Sequence, residues 1–245
     1  MTEAEWLACT DPQRMLEFIR GKASGRKLRL LAVNCCRRVQ HRLRESSSVR
    51  ALDILEAFAD GSVGKKQLKE ALWEAEKAAG NPPKGDPFRA SAAAWAVVSA
   101  LQDGFFGESE SVLSAAAEAS LLPDELRQRE EHRPTWPPDK ETARHHIDLV
   151  WGREHQAQSD LVRDIFGPVA FRRLQVNKAW LRWDGQAVTG IARTIYECRA
   201  FNQMLQLADA LEYAGCSDPD ILGHLRGPGP HVRGCFVVDL CLGLS

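Results

Sequence analysis

The stretch Arg26–Leu43 reads RKLRLLAVNCCRRVQHRL. Leu28, Leu31, Ala32, Cys35, Val39 and Leu43 recur at the 3.6-residue period of a helix, while Lys27, Arg37, Arg38, His41 and Arg42 lie across from them. Ser24 just ahead is a natural N-cap. One long amphipathic helix is therefore expected here, with an apolar face that needs neighbours.

The same grammar extends in both directions. Thr2 with Glu5 makes a capping box, and Asp11–Pro12 supplies an N-cap followed by proline at the first helical position. VRALDILEAFADG and KKQLKEALWEAEKAAG each run to a glycine stop, at Gly61 and Gly80, and NPPKGDP after them is a loop. RASAAAWAVVSAL and SESVLSAAAEASLL read as further helices, and KETARHHIDLVWGREHQAQSDLVRDIFGP as a long one halted at Gly167–Pro168. GIARTIYECRA, QMLQLADALEYAG and DILGHL, the last capped by Asp218–Pro219, continue the pattern. Only residues 169–187 hint at a short extended piece. No alternating run is bounded by hairpin dipeptides, no βαβ rhythm occurs and no fixed-period repeat is visible. The expectation is an all-α protein, a compact multi-helix bundle or irregular helical array. Residues 123–139, with four prolines and many charges, read as an acidic linker or loop between helical regions 1–122 and 140–245, which can equally form one domain.

At 245 residues, 44% hydrophobic and 27% charged, the chain can bury a real core. A net charge of −1 gives no global attraction to nucleic acid or anionic membrane, and no run approaches the roughly 18 apolar residues of a membrane span. The opening MTEAEWLACTDP lacks the pattern of a signal peptide, so a cytoplasmic location is expected. The seven cysteines include no C-x-x-C pair and read as reduced thiols. Charge is segregated: Arg14–Arg50 holds eleven Arg/Lys against two acids, and Asp103–Glu131 eight acids against two bases. The two stretches can face each other, or a partner. Lys27, Arg37, Arg38 and Arg42 are the candidate contact residues, and phosphate is one thing such a face can lie on.

Chemistry concentrates in GPGPHVRGCFVVDL, Gly227–Leu240. If a helix starts at Pro230, then His231, Cys235 and Asp239 share one stripe of an otherwise apolar element. Three readings follow. The stripe can be polar trim, each group satisfied by a neighbour. With Cys216 and His224 added, Cys216, His224, His231 and Cys235 form a permitted zinc set, two thiolates and two imidazoles, although the x7 and x6 gaps match no standard finger. Or Cys235 is a nucleophile with His231 as base and Asp239 as orienter, which requires an exposed and activated thiolate. Other signatures fail: GSVGKK lacks P-loop spacing, and neither G-x-S-x-G nor H-E-x-x-H occurs.

MTEAEWLACTDPQRMLEFIRGKASGRKLRLLAVNCCRR at 1–38, FADG at 58–61, VRDIFGP at 162–168 and LADALEYAGCSDPDILGHLRGPGPHVRGCFVVDLCLG at 207–243 together resemble a large paralogous group of planctomycete proteins. The resemblance covers both ends, about half the chain. Residues 62–160 follow no fixed pattern, and the IFG segment departs from the group's IFGNPFRP form. It implies a bacterial, intracellular helical protein and carries no activity, cofactor or site. The functional expectation is a non-catalytic interaction or regulatory module that binds another macromolecule, protein first and nucleic acid second, with no cofactor. The alternative is a module stabilised by zinc on the C-terminal Cys/His set, with nucleic acid as a contact of its basic N-terminal helices, and a cysteine-dependent hydrolase comes third.

Overall fold

The computed structural model describes residues 1–43, 45–80, 87–101, 116, 140–172 and 174–244. All regular structure among them is helical: α1 (Glu3–Ala8), α2 (Pro12–Ile19), α3 (Gly25–Arg38), α4 (Ser46–Ala59), α5 (Lys65–Ala79), α6 (Pro87–Leu101), α7 (Lys140–Phe166), α8 (Lys178–Arg182), α9 (Ala187–Cys198), α10 (Met204–Tyr213), α11 (Pro219–Arg226) and α12 (Phe236–Leu242), joined in places by 3-10 turns. No strand occurs among the described residues, so the fold is the expected all-α array.

The caps that punctuate the sequence are made. Thr2 Oγ1 accepts from the Glu5 amide at 3.2 Å while Glu5 Oε2 accepts from the Thr2 amide at 2.7 Å. Asp11 caps α2 and Asp218 caps α11, each followed by proline at the first helical position. The basic helix α3 starts from Ser24 but stops at Arg38, with a 3-10 turn at Gln40–Arg42 where a longer helix was expected.

Among the described residues the helices form two large apolar cores, besides a small cluster of Val39, Ala93 and Ala116. In the first, α1–α6 pack with the end of α7: Trp6, Met15, Leu31, Leu52 and Val97 are buried with Leu161, Val162 and Ile165. Trp6, Phe18 and Phe171 make an aromatic knot there, with ring centroids 5.2–6.1 Å apart. In the second, α9–α12 bury Val188, Ile195, Leu207, Leu211, Ile221, Phe236 and Val237. Phe171 packs on the first core and Leu174 on the second, so the chain crosses between them over residues 171–174. The end of α7 thus belongs to the N-terminal half by packing. The expected linker at 123–139, and the helix SESVLSAAAEASLL and the acidic stretch 103–131 apart from Ala116, lie outside the described residues.

Two expectations about local structure are corrected. Residues 169–187 hold 3-10 turns and the short helix α8 in place of an extended piece, and Asp184, Gly185 and Gln186 take positive φ to turn the chain into α9. The last helix does not begin at Pro230 but at Phe236. Gly234, at φ +100°, sits in a turn that an ongoing helix cannot contain, and its Cα approaches Leu30 of α3 so closely that a Cβ would lie 3.1 Å from the leucine.

Candidate metal centre

Because α12 starts at Phe236, Cys235 is its N-cap and no longer shares a helical stripe with His231 and Asp239. Asp239 faces the other way. Its carboxylate, almost fully buried, accepts from Arg26 at 2.8 Å and lies 3.1 Å from Lys27 Nζ, both from α3. It is not the orienter of a His231–Cys235 array. That part of the catalytic reading ends at an ion pair between the two halves.

His231 and Cys235 instead meet His224 from the last turn of α11 and Asp164 from the last turn of α7. One donor atom from each of these four residues lies within 4.8 Å of the other three. Asp164 Oδ1 is 3.0 Å from His224 Nε2 and 3.1 Å from His231 Nδ1, and His224 Nε2 is 3.2 Å from Cys235 Sγ. Asp164 Oδ2 accepts the Val232 amide at 3.0 Å. His231 Nε2 lies 3.4 Å from the Gly227 carbonyl; a proton donated there leaves Nδ1 bare toward the cluster. The two imidazoles meet edge to face at 4.9 Å, and Phe236 packs 4.4 Å from the His224 ring.

The electrostatics follow from burial and neighbours. Burial pushes the Asp164 carboxyl upward, but the hydrogen bonds and charges of His224 and His231 outweigh it and hold the group below the ordinary carboxylate range. Burial, then the Asp164 charge, drives the Cys235 thiol well above its ordinary value. The amides of Val238 and Val237 and the Lys27 charge oppose this without prevailing. A proton-bearing thiol sealed from solvent is a poor nucleophile, whereas a divalent cation at the same point replaces the proton outright.

Access exists on one side. A cleft of about 200 Å³ bounded by Asp160, Asp164, His231 and the Gly227–Pro230 loop opens onto the histidines, and a second of about 220 Å³, lined by Trp6, Leu7, Pro168 and Phe236, reaches His224 from α1. Arg163 borders both, but its guanidinium is held by the Trp6 and Cys9 carbonyls and by Asp160.

Of the four residues expected as zinc donors, His224, His231 and Cys235 come together and Cys216 does not. Cys216 is buried in the turn after α10, its amide on the Leu211 carbonyl, and α11 carries the chain away before His224. Asp164 takes the fourth place. Sequence spacing could not find it, since 60 residues separate it from His224. Its one local signal is an acid wedged between Val162, Ile165 and Phe166 on a face that must be buried.

The expected basic contact face is largely spent internally. Lys27 Nζ donates to the Ile165 carbonyl at 2.7 Å besides pairing with Asp239. Arg37 pairs with Asp53 and Glu56, and Arg38 makes a bidentate pair with Glu154 at 2.9–3.2 Å. Arg42 is half-buried beside them. The partners of Lys27, Arg37 and Arg38 stand on α4, α7 and α12. Comparison with family models, curated proteins and solved structures finds no match to this chain.

Proposed function

We propose that this protein is a zinc-binding, non-catalytic helical module, with Asp164, His224, His231 and Cys235 as the metal's four ligands. The observation that carries the reading is convergence: the same His224 Nε2 faces both Asp164 Oδ1 and Cys235 Sγ, while His231 Nδ1 faces the same oxygen. A thiol–imidazole–carboxylate relay uses opposite nitrogens of the base for its two partners. Four donors aimed at one point suit a metal ion. Tetrahedral zinc with bonds of about 2.0–2.3 Å sets its ligands roughly 3.3–3.8 Å apart, which the cluster reaches by side-chain shifts of less than about 1 Å.

The donor set selects the metal and the role. Two imidazoles and a thiolate also suit copper, but copper sites of that kind pair them with a weak axial ligand. Here the fourth donor is a buried carboxylate central to the cluster, which favours zinc. Four protein ligands close the usual tetrahedron, so the site holds structure and leaves no position for a reacting water. The interaction role expected for the module then falls to surfaces other than the basic face, such as those bearing the exposed Trp73 and Trp95.

The test is the zinc content of untagged protein by elemental mass spectrometry. About one zinc per chain is expected, retained in Cys216→Ser and lost in Asp164→Asn and Cys235→Ser. Folded wild-type protein that takes up no zinc from a stoichiometric supply sinks the reading.

A further inference from the structure

The four donors do not belong to one half of the molecule. Asp164 rides on the last turn of α7, whose Leu161, Val162 and Ile165 are fixed in the first apolar core. His224 extends from α11, whose Ile221 and Leu225 are buried in the second, and Cys235 precedes Phe236, Val237 and Val238 of that same core. His231 stands on the loop between α11 and α12, and its ring is held by Asp164 and the Gly227 carbonyl.

The boundary also carries many polar contacts. Arg26 crosses to Asp239 and to the Tyr196 hydroxyl at 2.6 Å, Asp60 crosses to Tyr196 and Arg233, and Asn34 Nδ2 donates to the Arg233 carbonyl at 3.0 Å. Arg199 reaches Glu56, and Arg172 joins Glu3 to Asp220. Apolar contacts cross as well, Val232 against the first core, Phe236 against Gly167 and Gly234 against Leu30. Such faces are solvated when they part, and salt weakens the exposed pairs of Arg172 more than the buried ones at Asp239 and Glu56. A coordinated ion is not weakened in this way.

Building on the zinc reading, we propose that metal occupancy of this centre gates the docking of the C-terminal half, residues 174–244, on the N-terminal half. The zinc-bound chain is clasped shut and the metal-free chain opens along the polar boundary. The protein is then responsive to free zinc: the ion's binding energy is spent across the boundary, so the closed form is populated in proportion to occupancy.

Hydrogen exchange followed by mass spectrometry on the full untagged chain tests this, metal-free and with one equivalent of zinc, at about 0.15 M and about 1 M salt. The amide of Val232 bonds to Asp164 across the boundary, so the peptide containing it is the reporter. At least tenfold faster exchange there is expected without zinc, steeper at high salt, with α9 and α10 core peptides unchanged. Cys235→Ser supplied with zinc should reproduce the metal-free pattern; if that variant does not fold, the wild-type pair decides alone. Zinc bound at one per chain with equal exchange in both states overturns the clasp and leaves the zinc reading standing. No zinc uptake overturns both.

Discussion

Tyr196 shows how much one buried hydroxyl can tie together. It accepts from Arg26 and donates to Asp60, both at 2.6 Å, while the Arg233 guanidinium lies over its ring at 4.4 Å. Burial and the Asp60 hydrogen bond push the phenol up to about 12, against the pull of Arg233 and Arg26. A phenol free in the unfolded chain titrates near 10. Its contribution is therefore complete below about pH 10 and is lost as pH climbs through about 12. Ultraviolet titration of the chain's two tyrosines should show one ionising only near pH 12. Tyr196→Phe removes that late step and costs about 1.5–3 kcal/mol in urea unfolding, the range for hydrogen bonds to charged partners. None of this was legible in GIARTIYECRA, where Tyr196 reads only as another residue of an amphipathic helix. The histidines and Cys235 were legible as chemistry, because such residues bunched beside a Gly–Pro turn stand out. Their fourth partner was not, because only the packing of α7 brings Asp164 to them.

At the scale of elements, helix starts were written plainly and some helix ends were not. The Asp11 and Asp218 caps with their following prolines, and the Ser24 cap, are local signals, and each formed as expected. The start of α12 failed because a long-range constraint overrode a favourable proline: Gly234 must pass Leu30 of α3 at a positive φ. The basic face of α3 misled for a similar reason. Charge on a helix is visible in sequence, but whether Glu56, Glu154 and Asp239 arrive to pair with it is decided by other elements. The end of α7 carries the sharpest test at this scale. Gly167 stops the helix at φ +50°, and a Cβ there would meet the Phe236 ring at 2.5 Å. Gly167→Ala pays twice, in a left-handed backbone and in displacing Phe236, for about 2–4 kcal/mol together. Phe236 follows Cys235 and packs on His224, so the same substitution should weaken zinc binding by calorimetric titration. A variant with wild-type urea midpoint and zinc affinity would show that the tight approach is not needed.

For the whole molecule, the decisive feature is that two apolar cores meet across a boundary rich in ion pairs. Hydrophobic contact between halves survives salt, whereas the attraction between charges separated by more than a Debye length does not, and that length falls from about 10 Å at 0.1 M to about 3 Å at 1 M; buried contact pairs are screened much less. The boundary pairs are partly shielded, since Arg26 and Lys27 keep only 12% and 16% of their side-chain surface exposed, so part of their attraction still opposes opening in the metal-free chain. Raising salt in the metal-free chain removes the longer-range part of that attraction while leaving each core's own burial intact. Urea unfolding followed by tryptophan fluorescence and by calorimetry should therefore show two steps for metal-free protein at about 1 M salt, one for each core. With zinc bound, Asp164 and the three C-terminal donors share one ion, and opening either half breaks a bond to it. The two steps should then merge into a single transition, shifted upward by about 2.7 kcal/mol when free zinc exceeds its dissociation constant a hundredfold. A single transition under both conditions would mean that the apolar contacts at Val232 and Phe236 couple the cores without help from the metal.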